Sequence, residues 1–123
     1  MKLPAPFIAQ ENIKQITSLT DRVLLDINGT PAWVGNYAYG MCLAIDTGLQ
    51  NINTKWLMHV CLWLASKCSF TDDSLILESN RLYLLRHYSK ELNHQQYKKL
   101  IYQQTKLVKW LFKHYTNTIL TDN

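Results

Sequence analysis

The chain has 123 residues, 47% hydrophobic and 18% charged, with a formal net charge of +4. That is one domain's length with enough apolar content for a core, which excludes wholesale disorder. Cys42, Cys61 and Cys68 form no CxxC pair, so spacing argues against a zinc knuckle or a thioredoxin-like centre, and all three are expected to be buried, reduced and structural.

Met1 to Pro4 carries one charge with no apolar run behind it. No signal peptide is expected, and a cytosolic location is. Ile8, Ile13, Ile16 and Leu19 are spaced as a short amphipathic helix, with Glu11 near its positive end and Thr20-Asp21 closing it. Val23 to Ile27 reads as a strand running into Asn28-Gly29, a hairpin signal because both residues tolerate positive φ. Pro31 belongs at the start of the next strand or at a sheet edge, since it cannot donate to a ladder.

From Trp33 to Ile45 the chain alternates with period two. Trp33, Tyr37, Tyr39, Met41, Leu43 and Ile45 are assigned to one face; Asn36, Ala38, Cys42, Ala44 and Asp46 to the other. The run is too long for one strand, so a break is expected at Gly35-Asn36 or Gly40, giving a three-stranded meander that ends at Asp46-Thr47-Gly48. A polar loop then leads to Asn53 or Thr54, which caps a helix reaching about Lys67. After a turn over 69–73, Ser74 to Glu78 and Arg81 to Arg86 form a hairpin about Ser79-Asn80. Asn93, with Gln96 as its capping-box partner, starts a long last helix. Tyr97, Leu100, Ile101, Leu107, Val108, Leu111, Phe112, Tyr115 and Ile119 share its apolar arc. The expected class is α+β, a single domain over 1–123, in the order α-β-β-β-α-β-β-α with a mostly antiparallel sheet.

The central helix is the unusual element. Trp56 to Ala65 holds one polar residue, His59. Trp56, Val60, Trp63 and Leu64 make one apolar stripe; Leu57, Cys61, Leu64 and Cys68 make a second. Such a helix is either the core of a monomer or is covered by its own sheet on one side and a second subunit on the other. The small size of the chain favours the second arrangement. The stretch is too short to cross a membrane.

No catalytic motif of fixed spacing occurs, and the four histidines are scattered, so a non-enzymatic protein without a metal or cofactor is expected. Between Leu92 and Thr121 there are five lysines and no acid. Lys98, Lys99, Lys106, Lys109 and Lys113 form a stripe, with Tyr102 inside it and Trp110 at its edge. The stripe reads as a solvated face, a docking site for an acidic partner, or a nucleic-acid surface in which lysines neutralise phosphates and rings stack on bases. It contains no arginine, which weakens the nucleic-acid reading.

With the elements in this order, and on Cys61-Leu62-Trp63-Leu64-Ala65, Ser74-Leu75-Ile76-Leu77-Glu78-Ser79 and Arg81-Leu82-Tyr83-Leu84-Leu85-Arg86, the chain resembles the class I type III secretion chaperones of Gram-negative bacteria. Glu11-Asn12-Ile13 and the Arg81 to Arg86 strand resemble most the small chaperone of the gatekeeper complex. The resemblance implies a protein of the bacterial cytoplasm that pairs, largely through its second helix, with a second chaperone of the same or a different chain. It also implies a secreted or gatekeeper protein as partner, and is compatible with peripheral contact with the secretion apparatus. Trp56, Val60, Trp63, Leu64, Leu82 and Leu84 are then the expected subunit interface, and Tyr37, Tyr39 and Leu43 the expected partner-binding side chains. The alternatives are a homodimeric effector chaperone and a basic nucleic-acid-binding module. The basic charge departs from the family, whose members are usually acidic, and suits pairing with an acidic subunit.

Overall fold

Two tight turns with left-handed backbone set the hairpins. Asn28 and Gly29 have φ of 51° and 87°, and Ser79 and Asn80 have φ of 50° and 65°. Both turns match the twist of the strands they join. In the computed structural model, which describes residues 1–37, 40–66 and 73–121, the elements are α1 (Ala5–Ile8), β1 (Ile13–Ser18), β2 (Arg22–Ile27), β3 (Thr30–Tyr37), β4 (Gly40–Gln50), α2 (Thr54–Ser66), β5 (Ser74–Glu78), β6 (Arg81–Tyr88) and α3 (His94–Thr121). The strands form one antiparallel sheet in the order β1-β2-β3-β4-β6-β5. The class is α+β, in the order α-β-β-β-β-α-β-β-α.

The extra strand corrects the first helix. Ile13 to Ser18 pairs with β2 as an edge strand, and its register shifts between Gln15 and Thr17. At that bulge Ile16 is pushed into solvent, 62% exposed, while Ile13 points into the core. The three-residue spacing of Ile13 and Ile16 therefore reflects an extra residue in a strand rather than a helical turn.

The alternating run does divide, into β3 and β4, but its faces are not those expected. Partners across β3 and β4 are Trp33 with Ala44, Val34 with Leu43 and Asn36 with Met41. Paired residues share a face, so odd positions in β3 lie with even positions in β4. Trp33 thus leaves Met41, Leu43 and Ile45 and joins Cys42, Ala44 and Leu85 on the opposite side. Its indole Nε1–H is buried with no acceptor among the described residues, which costs about 1–3 kcal/mol. The Arg22 guanidinium lies 4.0 Å from the ring centroid and offsets part of that cost. Gly40 opens β4 because a side chain there would stand 2.6 Å from the Tyr88 carbonyl oxygen. The expected end of the run at Asp46-Thr47-Gly48 is also corrected: β4 continues to Gln50 through an irregular register after Asp46.

The main core lies between one sheet face and the helices. Phe7 of α1, Trp56 and Val60 of α2, and Tyr97, Ile101, Val108 and Leu111 of α3 pack on Val23, Leu25, Leu43, Ile45, Leu82 and Leu84. Both expected caps hold. Asn53 Oδ1 accepts from the backbone N–H groups of Lys55 and Trp56 at 2.9 and 3.2 Å. Asn93 and Gln96 exchange the two bonds of a capping box at 2.8 and 2.9 Å. Gln104, absent from the expected apolar arc, is wholly buried. Its amide donates to the Leu43 and Leu84 carbonyls at 2.9 and 3.1 Å and its oxygen accepts from the Tyr88 hydroxyl at 2.7 Å. A polar residue is tolerated on the inner arc because every polar atom it brings is paired.

One cysteine differs from expectation. Cys42 is buried, and desolvation pushes its thiol up to about 12. Cys61 is exposed on α2, which corrects its assignment to the core; Cys68 lies outside the described residues. In a Cys68→Ser background at pH 8, iodoacetamide is expected to modify Cys61 rapidly and leave Cys42 untouched until the protein is unfolded, because only about one Cys42 in ten thousand would be thiolate. Mass spectrometry of the alkylated protein reads this, and equal labelling of both thiols would contradict the burial of Cys42.

Candidate functional site

The surfaces that could do work lie where α2 and the second half of α3 meet. Trp56 and Val60 are only 5% and 3% exposed and face inward. Trp56 packs edge-on against Tyr115 at 4.7 Å, and its Nε1–H donates to His114 Nδ1 at 2.9 Å. That bond makes Nδ1 the acceptor and places the neutral ring's proton on Nε2. Trp63 stacks on Trp110 at 4.8 Å, and Trp110 stacks on His114 at 4.8 Å. Asn53, the cap of α2, donates its backbone N–H to the Tyr115 hydroxyl at 3.1 Å. These rings join α2 to α3 along most of α2.

Most residues expected at a subunit interface are therefore interior. Trp56, Val60, Leu82 and Leu84 belong to the core of this chain, as does Leu43, expected to touch a partner. Leu64 is half-buried against the same core, and Trp63 is partly exposed but engaged in the ring stack. The Tyr37 side chain and Tyr39 lie outside the described residues. Trp56 and Val60, expected at a subunit interface, face inward because α2 is apolar nearly all round and the docking of Tyr115 and His114 of α3 decides which side is covered.

The outward side of α2 is neither of the two stripes expected from the sequence: Leu57 and Leu64 of the second stripe pack against the core, and of its members only Cys61 is exposed among the described residues. Met58 and Leu62, one helical turn apart, are 62% and 69% exposed, with Cys61 and Ala65 exposed around them. Solvent-facing sides of helices normally carry charge. On α2 the only charged residue is Lys55, in its first turn. Leu77 of β5, a strand that α2 contacts, adds a further side chain 56% exposed at the sheet edge. An apolar surface therefore runs from α2 towards the free edge of the sheet.

The basic stripe is split in two. Lys98 and Lys99 line a cleft of about 470 Å³ with residues 9–12 and His94, ahead of Tyr102. Lys106, Lys109 and Lys113 line a second groove of about 640 Å³, between α3 and the β2–β3 hairpin. Trp110, assigned to base stacking in the nucleic-acid reading, already has two stacked ring partners, and Lys106 Nζ sits 4.8 Å from the Tyr102 ring. Tyr102 and Trp110, the two rings named with the stripe, thus both make contacts within the chain, which weakens their use as stacking platforms for single-stranded nucleic acid.

Among the described residues, no group of three or more His, Cys, Asp or Glu could hold a metal ion, and no helix is long and apolar enough to cross a membrane. In comparisons with known proteins, no family model and no curated sequence matches the chain.

Proposed function

We propose that the chain is a non-enzymatic secretion chaperone of the type III class, acting in the bacterial cytoplasm as one subunit of a pair that holds a secreted or gatekeeper protein. The observation that carries this reading is the outer side of α2, where Met58 and Leu62 are exposed on a helix with one charge. Removing such surface from water is favourable at about 25 cal/mol per Å², and a second subunit is the covering that the class resemblance implies. The antiparallel sheet, the β5–β6 hairpin after the second helix and the long last helix agree with that class. The added edge strand β1 and the positive charge depart from it. The charge favours an unlike, acidic subunit over a second copy.

The test is the mass of the full chain by light scattering after gel filtration, alone and with Met58→Asp/Leu62→Asp. In 0.5 M salt the wild type is expected to pair, aggregate or require a co-expressed partner. The double variant is expected to run as a soluble monomer whose unfolding free energy is within about 0.5 kcal/mol of the dilute, unpaired wild type, since both side chains are exposed. A wild-type chain that is itself a well-behaved monomer at high concentration would sink this reading.

A further inference from the structure

On α3, Lys106, Lys109 and Lys113 follow at i, i+3 and i+7, which puts them on one side of the helix over about 10 Å of its axis. They rim the groove of about 640 Å³ whose other wall is the β2–β3 turn and the irregular stretch of β4. The floor is apolar. Phe112 is 44% exposed there, with Pro31 opposite and Val108 beneath. Gly48, at φ 80°, lets β4 turn under the Phe112 ring.

Among the described residues, the only acid lining the groove is Asp46, which is 4% exposed and already engaged. It accepts from Arg81 at 3.0 Å and from the Gly48 backbone N–H at 2.8 Å. Among the described residues, none of the three lysines has a carboxylate within 4.0 Å. The groove therefore combines an uncompensated positive rim with exposed aromatic surface.

We propose that this groove binds an acidic segment of a partner protein, with carboxylates on the three lysines and one large apolar side chain against Phe112 and Pro31. An extended chain covers about 10 Å in about three residues, so acids on either side of one aromatic or branched residue match the lysine spacing. A phosphate backbone would also satisfy the lysines, but the floor sets Phe112 beside Pro31 and Val108, a patch suited to one apolar side chain, and Trp110 already stacks on Trp63 and His114. No residue of α2 lines the groove, so the site does not depend on subunit pairing through that helix.

The experiment measures fluorescence anisotropy of a labelled nonapeptide, one phenylalanine with four glutamates on each side, titrated with the full chain at 50 mM salt. Three probes accompany it: the same peptide with glutamine for glutamate, the same peptide with alanine for phenylalanine, and a twelve-nucleotide poly-dT. The acidic aromatic peptide is expected to bind at least tenfold tighter than any of the three, and several-fold weaker in 0.5 M salt. Lys106→Glu/Lys109→Glu/Lys113→Glu is expected to lose tenfold or more, and Phe112→Ser to lose the preference for phenylalanine over alanine. Circular dichroism of each variant checks the fold; should the triple variant unfold, Lys109→Glu alone and the salt series carry the same reading. No binding, equal binding of the glutamine peptide, indifference to charge reversal, or tighter binding of poly-dT would each overturn the proposal, the last in favour of nucleic acid.

Discussion

Replacing Asp73 with alanine is expected to destabilise the protein by about 3–5 kcal/mol, because it strands a buried guanidinium. The Arg86 and Asp73 side chains are 5% and 9% exposed. Arg86 Nε donates to Asp73 Oδ1 at 2.5 Å, Nη2 to Oδ2 at 2.7 Å, and Nη1 to the Leu100 carbonyl at 3.1 Å. Burial acts against the Arg86 charge, but the hydrogen bonds and charge of Asp73 outweigh it and hold the guanidinium above its ordinary pKa. The pair ties the residue that leads into β5 to the middle of β6 and α3. Loss of the carboxylate removes two bonds and leaves the charge without compensation. Urea unfolding of Asp73→Ala measures the cost, and Asp73→Leu/Arg86→Met, which removes both charges, should recover much of it. A loss below about 1 kcal/mol for Asp73→Ala would mean that water screens the pair as it does a surface bridge.

Trp56→Ala should cost a similar amount, about 3–5 kcal/mol, because it empties a core position. It also removes the edge-on contact with Tyr115 and the hydrogen bond to His114. Trp56→Phe keeps a ring and loses the bond, at about 1 kcal/mol. The measurement that matters is the dependence of the melting temperature on protein concentration. A core residue lowers it equally at all concentrations, whereas an interface residue costs most at high concentration and little in the dilute chain. If Trp56→Ala leaves the dilute chain as stable as wild type and alters only its mass, the inward placement of Trp56 is wrong. Set beside Met58→Asp/Leu62→Asp, the variant separates the two sides of α2 by mechanism: one holds the chain together, and the other is the surface proposed to meet a second subunit.

The candidate surfaces were partly legible in the sequence. That α2 carries more apolar surface than one core can use follows from its residues, and so does the lysine stripe of α3. Which side faces out does not, because Trp56 and Val60 look as suitable for an interface as Met58 and Leu62 until Tyr115 and His114 take up the first pair. The division of the lysines between two grooves depends on where residues 9–12 and the β2–β3 turn come to rest against α3. Gln104 lies outside the expected apolar arc, and Asp73 falls in the expected turn over 69–73, where an acid is ordinarily solvated; their partners come from Leu43, Leu84, Tyr88 and Arg86, remote in sequence or across a turn.

What the sequence determined by itself is the set of features whose energetics close within a few residues. The turns at Asn28-Gly29 and Ser79-Asn80, the caps at Asn53 and Asn93, and the α+β order from β2 onward are of this kind. Left-handed backbone preferences and capping bonds act between neighbours, and no distant contact needs to be known to read them. Only the tertiary structure decided the edge strand β1, the parity change that moves Trp33 to the other sheet face, and the inward side of α2. Each depends on pairing or burial between distant segments, where one bulge residue or one docked helix reverses which side chains meet water.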